Sequence, residues 1–226
     1  MKRMTRFSVL CGLLMTVARS ASAEGELMVI PASTKVFNAH TQTVTVKNAG
    51  DAPLYLNINV QKVMNPGVMP EKKVALGEVA HPGMLASPDK LTLGPNQTRS
   101  IVLKSLAEPE QEELYRLYVL PVRSLKVEQA TEDKITAPMS VAIGYGVLVR
   151  HMPAPGKQKT GWTHRCEAGG VTLENTGNVR QLFTDVVDGK SKTPQRVALF
   201  PGTPQHFAVK RMAMNIDDKP VTVECP

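Results

Sequence analysis

Apolar and polar residues alternate with a period of two along most of this chain, in short runs separated by turn residues. The runs are "TQTVTVKN" (41–48), "LYLNINVQKV" (54–63), "KLTLG" (90–94), "TRSIVLKS" (98–105), "LYRLYVLPV" (114–122) and "SVAIGYGVLV" (140–149). Between them stand "NAGDAP", "MNPG" and "GPNQ". Period-two alternation with glycine, proline and asparagine punctuation predicts half-buried β-strands. No segment carries the 3.6-residue period of an amphipathic helix. After Arg150 the pattern breaks at "HMPAPGKQKTG", read as a linker or corner, and a second set follows: "GVTLENTG" (170–177), "VRQLFTDVV" (179–187), "QRVALF" (195–200), "QHFAVKR" (205–211) and "KPVTVEC" (219–225). The fold class is therefore all-β, with two immunoglobulin-like β-sandwich domains in series, residues 24–152 and a smaller unit over 153–226.

One run differs from the rest. In "SVAIGYGVLV", Val141, Ile143, Tyr145, Val147 and Val149 fall on one face and the small residues Ser140, Ala142, Gly144 and Gly146, with Leu148, on the other. Edge strands are usually blunted by lysine, proline or inward charge, and this run has none before Arg150. It lies inside a sheet, or something from outside pairs with it. A second oddity is Arg116, a guanidinium within the alternating "LYRLYV" between Tyr115 and Tyr118. It is either a solvated outer-face arginine or a cationic anchor at the base of a groove.

Residues 1–23 read as a secretory leader: Lys2, Arg3 and Arg6, an apolar "FSVLCGLLMTV", then Ala21-Ser22-Ala23 as the cleavage site. Losing Lys2, Arg3, Arg6 and Arg19 with no acid takes the formal net charge from +7 to +3, too mild to point to nucleic acid. No later apolar run is long enough to insert in a membrane. Two cysteines outlast the leader, Cys166 and Cys225. Export permits a disulfide between them, the alternative being two buried thiols.

Catalytic chemistry finds little support. The chain lacks a G-x-S-x-G elbow, an H-E-x-x-H pair, a phosphate loop and a dinucleotide fingerprint. His40, His81, His151, His164 and His206 are dispersed. The methionines could suggest a copper carrier, but Met64, Met69, Met84 and His81 show no tight ligand spacing, and scattered methionine more often fills gaps in packing. The expectation is a binding protein without metal or cofactor.

The order of motifs resembles the periplasmic chaperones of fimbrial assembly, most of all the alternate chaperones that serve class 5, colonisation-factor fimbriae. The resemblance is carried by "LMVIPAS", the "NPG" at 65–67, "LTLGPNQTRSIVL" (91–103), "EELYRLYV" (112–119), "MSVAIGYGVLVR" (139–150) and "NTGNVR" (175–180). It implies an L-shaped pair of immunoglobulin-like domains, and partners that are fimbrial subunits and an outer-membrane usher. It also implies donor-strand complementation, in which Met139, Val141 and Ile143, with Tyr145 as a fourth, fill a gap in the subunit. Glu112 and Arg150 match the family's interdomain brace. Classical members use a lysine on the donor strand to hold the subunit's terminal carboxylate, and here that stretch is "GVLV". Arg116 becomes the first candidate anchor and Lys35 the second. Free molecules could self-associate through the donor strand. The competing reading is a minor fimbrial subunit or tip adhesin, which would carry an alternating extension ahead of its first domain. Here strand-like sequence begins almost at once, at "ELMVIPAS".

Overall fold

The computed structural model describes residues 25–122, 143–167, 169–187 and 193–226. The expected leader and the donor positions Met139 and Val141 lie outside the described residues. The first domain opens with a run that serves two sheets. β1 (Leu27–Ile30) pairs antiparallel with β3 (Gln42–Asn48), while β2 (Ser33–Phe37) pairs parallel with β10 (Tyr145–Met152). Pro31, which has no N–H to give a ladder, stands between the two halves.

One sheet runs β1-β3-β8-β6, with β8 at Thr98–Ser105 and β6 at Met84–Ser87. The other runs β2-β10-β9-β4-β5, with β9 at Glu113–Val122, β4 at Leu54–Val63 and β5 at Lys73–Ala75. β7 (Lys90–Leu93) also pairs with β4. Alternation decides the core, since every second side chain points inward. Val44, Val46, Ile101 and Leu103 from one sheet bury against Leu56, Ile58, Leu117, Val119, Val147 and Val149 from the other.

The second domain repeats the plan on a smaller scale. β11 (Trp162–Glu167), β12 (Gly170–Asn175) and β15 (Gln205–Phe207) form one sheet. It faces β14 (Gln195–Leu199), β13 (Gln181–Val187), β16 (Arg211–Ile216) and β17 (Lys219–Glu224). Leu173, Phe183, Leu199, Met212 and Met214 fill the space between, and the Trp162 ring meets Phe183 edge-on at 5.4 Å. Alternation along the chain does not mark β11 or β16. "WTHRCE" is charged because it is an edge strand largely in solvent, and "RMAMNI" hides its period behind methionines, of which Met212 and Met214 are buried.

Each domain holds one turn with a buried asparagine followed two residues later by glycine. Asn48 Nδ2 donates to the carbonyls of Ala52, Leu93 and Gly94 while Oδ1 accepts from Gly50. Asn175 Nδ2 donates to Val179 and Leu199 while Oδ1 accepts from Gly177. A buried amide with its donors and acceptor matched stabilises a turn that apolar packing cannot specify.

The expected linker starts late. His151 and Met152 still belong to β10 and are buried, and an irregular segment with a turn at Pro155–Lys157 follows. The buried His151 places Nε2 2.8 Å from Ser105 Oγ, while Nδ1, 3.6 Å from Glu113, has no hydrogen-bond partner among the described residues. Burial alone would raise the Glu113 carboxyl; its contacts with His151, Lys62 and Tyr115 outweigh that and hold it at about 2. The depressed value means that this carboxylate contributes stability above the unfolded pKa of about 4.3. That contribution is lost as pH falls toward 2. Chemical denaturation of the first domain should therefore weaken through this acid window, and Glu113→Gln should flatten the dependence.

Cys166 and Cys225 are joined by a disulfide across 59 residues, tying β11 of one sheet to the end of β17 in the other. Loop entropy assigns such a link about 4 kcal/mol. Thiol labelling of the denatured mature protein should find no free thiol. Replacing both cysteines by serine should lower the stability of the second domain by about that amount.

Candidate functional site

β10 is paired differently along its two halves. From Leu148 to Met152 it lies between β2 and β9, and its neighbour on the β2 side begins where Leu148 N–H donates to Ala32. From Tyr145 to Val147 it pairs with β9 alone. Among the described residues, no strand covers the other edge of this first half. The apolar phase continues past the core: Val147 and Val149 are buried, while Tyr145 is 38% and Ile143 71% exposed. The result is an apolar, hydrogen-bond-capable edge that no described strand finishes.

The small residues on the opposite phase have a local cause. A Cβ on Gly144 would fall 2.5 Å from Leu120 Cδ2, and one on Gly146 would fall 3.3 Å from the Tyr118 ring. Side chains of β9 lie across the strand there, so glycine keeps β10 flat against its neighbour.

The outer face of the same sheet carries the candidate cations. Arg116 stands opposite Leu148 in the register, and its guanidinium grips Glu71 in a two-pronged pair at 2.6 and 3.1 Å. That pairing raises the arginine and lowers the Glu71 carboxyl, with Lys73 also nearby. Arg116 thus already holds a carboxylate of its own chain. Lys35 sits on β2 beside Arg150, exposed, and no ion pair joins it to any described residue.

Arg150 closes β10 by donating Nε and Nη2 to the two oxygens of Glu112, at 2.5 and 2.8 Å. The Glu112 side chain is fully buried and also accepts the backbone N–H of Arg180 in the second domain at 2.8 Å. Asn178 adds a second tie: its amide reaches the carbonyls of Glu110 and Lys157, and its own carbonyl accepts Glu112 N–H. Beneath these polar links Val63 and Leu114 pack on Phe200, with Leu148 alongside. The tip of the β4–β5 loop touches the second domain too, where Gly67 O accepts from Gln205 and a Cβ on Gly67 would strike Ala198 O.

The chain is 28% identical over 170 residues, 75% of its own length and 71% of the relative's, to a CFA/I fimbrial subunit of Escherichia coli. It is 25% identical over 164 residues to a CS1 fimbrial subunit of Escherichia coli, covering 72% of this chain and 68% of that one. Among solved structures, the class 5 fimbriae chaperone CfaA superposes with a TM-score of 0.67 at 21% identity, covering 89% of this chain and 99% of the other. This chain has the fimbrial-chaperone fold. A chaperone–tip adhesin complex of CFA/I fimbriae biogenesis matches at a TM-score of 0.69 and 22% identity, over 88% of this chain and 98% of that one. No family model matches the sequence.

Within that fold, Ile143, Tyr145, Arg116, Lys35, Glu112 and Arg150 all belong to the sheet that contains β10 or to its immediate ends. Sequence reasoning missed Glu71, Asn178 and Arg180. Asn178 and Arg180 were visible inside "NTGNVR", but nothing in one sequence says that a turn of the second domain reaches the first. Breaking a buried ion pair by removing one partner costs about 3–5 kcal/mol. Arg150→Ala should lose that much stability and should change the small-angle scattering profile. The pair replacement Glu112→Leu with Arg150→Met should recover much of the stability.

Proposed function

We propose that this protein is an exported, ATP-independent chaperone of fimbrial assembly. It captures fimbrial subunits by strand complementation in the periplasm and delivers them to an outer-membrane usher. The observation that carries the reading is the half-paired β10, whose apolar phase runs from the core out into solvent at Tyr145 and Ile143. A fimbrial protein with an immunoglobulin-like fold lacking one strand exposes an open core and an open sheet edge. An added strand answers both needs, giving main-chain hydrogen bonds and alternate apolar side chains at once. The basic leader at residues 1–23 supports export. Arg116 and Lys35 supply cations beside the strand for the subunit's terminal carboxylate, Lys35 being the one without a resident partner among the ion pairs described.

The names of the two curated relatives favour a second reading, in which this chain is itself a structural component of the fimbria. Against it, the first domain's sandwich already contains its closing strand, since β10 is inserted between β2 and β9 and contributes Val147 and Val149 to a filled core. A component that waits for a donor would lack that strand.

Co-purification after co-expression with a fimbrial subunit tests the proposal. The wild-type chain should yield a stable one-to-one complex. Ile143→Asp should reduce recovery by about a hundredfold, since a carboxylate forced into an apolar groove costs roughly 3 kcal/mol. Ile143→Val should behave nearly as wild type. Equal recovery with the aspartate and valine variants would sink the reading. The free protein should also self-associate in a concentration-dependent way through the same edge, and Ile143→Asp should abolish this in sedimentation experiments.

A further inference from the structure

Ser105, His151 and Glu113 lie in the order of a serine, histidine and acid relay at the root of β10. His151 Nε2 is 2.8 Å from Ser105 Oγ, and Nδ1 is 3.6 Å from Glu113 Oε2. Burial and hydrogen-bond direction both exclude a nucleophile here. His151 is fully buried and Ser105 nearly so. Ser105 Oγ also lies 3.0 Å from the carbonyl oxygen of Ala107, which can only accept. A catalytic serine gives its proton to the histidine, whereas this one gives it to the backbone.

That single hydroxyl proton decides the state of the ring. With the proton on Ala107 O, Ser105 Oγ turns a lone pair to Nε2, so Nε2 carries a proton of its own. Nδ1 is buried and faces a carboxylate whose oxygens already accept Lys62 Nζ at 2.5 Å and Tyr115 Oη at 2.6 Å. An unprotonated Nδ1 would set its lone pair against that negative charge. A ring protonated on Nδ1 alone would need the Ser105 proton at Nε2 and would strip Ala107 O of its donor. Of the three states of the ring, the doubly protonated one matches all three contacts.

The groups packed around the ring agree with that charge. Glu113 on β9 is ionised at any pH well above about 2. Lys62 on β4 repels it, but its ammonium is paired with Glu113 and lies over the Tyr115 ring. β2 brings the apolar Val36 opposite His151. The segment before β6 brings Gly83, where a Cβ would stand 3.3 Å from Glu113 Oε2 and from His151 Cε1. Beyond β8, Glu108 is taken by Lys157 and the Ala154 N–H. Arg150 and Glu112, the chain neighbours of His151 and Glu113, are paired with each other.

We infer that His151 is held in the first domain as an imidazolium, giving Nε2–H to Ser105 and Nδ1–H to Glu113, and that this charged bridge is a pin that alkaline conditions withdraw. Ser105 ends β8 in one sheet, whereas His151 and Glu113 belong to β10 and β9 in the other. The bridge therefore closes the sandwich across its end. His151 faces Glu113 in the register, one residue along from Arg150 and Glu112, so the same end carries the interdomain brace. Loss of the Nδ1 proton leaves a lone pair against a carboxylate and loosens that end. The inference is independent of the capture reading.

The test uses the full mature chain labelled with nitrogen-15. Long-range proton–nitrogen spectra at neutral pH should show both ring nitrogens of His151 protonated, the signals being identified among the five histidines by their loss in His151→Gln. Glu113→Gln should leave the ring neutral under the same conditions. A histidine in an unfolded chain releases its proton near pH 6.5, roughly, so above that point the native chain would hold one proton more than the unfolded chain. Stability must then fall as pH rises, by up to about tenfold in the folding constant per pH unit. Chemical denaturation should show this fall in wild type and not in His151→Gln. Where His151→Gln does not fold, Ser105→Ala, which displaces the same Nε2 signal, supplies the assignment. A neutral His151 ring in either tautomer at neutral pH overturns the inference, as does a wild-type stability that is level through the alkaline range.

Discussion

Glu112 is a fully buried carboxylate at the point where the two domains meet, and such a group stays in a protein only when its oxygens are matched by donors. Here the donors come from both sides, the Arg150 guanidinium from the end of β10 and the Arg180 N–H from the second domain. This one satisfied charge couples the strand that ends the first sandwich to the turn that begins β13. Ion pairs of this kind contribute little net stability over an apolar replacement, but they tolerate few alternative geometries. The apolar contact of Val63, Leu114 and Phe200 beneath supplies attraction without direction, and the Glu112 and Asn178 links supply direction.

The geometry at that corner governs what β10 can offer. Its last residues are held on both edges, its base is anchored by Arg150, and Met152 and His151 are sunk in the interior. Among the described residues, the first residues of this firmly rooted strand are paired on one side only. Edge strands with apolar faces invite aggregation, and the two glycines facing Tyr118 and Leu120 keep this one flat and accessible rather than bulged away. A liability in most β-proteins is, in the capture proposed above, the surface to which one strand would add.

Much of this was readable from the chain. The period of two located β3, β4, β8, β9 and most of the second domain, because a strand with one buried face must alternate. The lack of charge before Arg150 marked the unusual strand for the same reason. Where the signal failed, the cause was local: β11 is an edge strand with nearly every side chain in solvent, so its composition follows solvation rather than burial, and β16 buries flexible methionines that fit a helix as well as a sheet.

The sequence by itself determined the all-β class, the two-part layout, the apolar phase of β10 and the identity of the cations near it, since each follows from residues close in the chain. Only the tertiary structure decided which of those cations is already occupied. Arg116 meets Glu71 from 45 positions away and Arg150 meets Glu112 from 38, while Lys35 makes no ion pair with any described residue. Charge pairing depends on distances between side chains brought together by sheet order, and sheet order is set by which faces must be buried against each other, a constraint that alternation along a single strand does not encode.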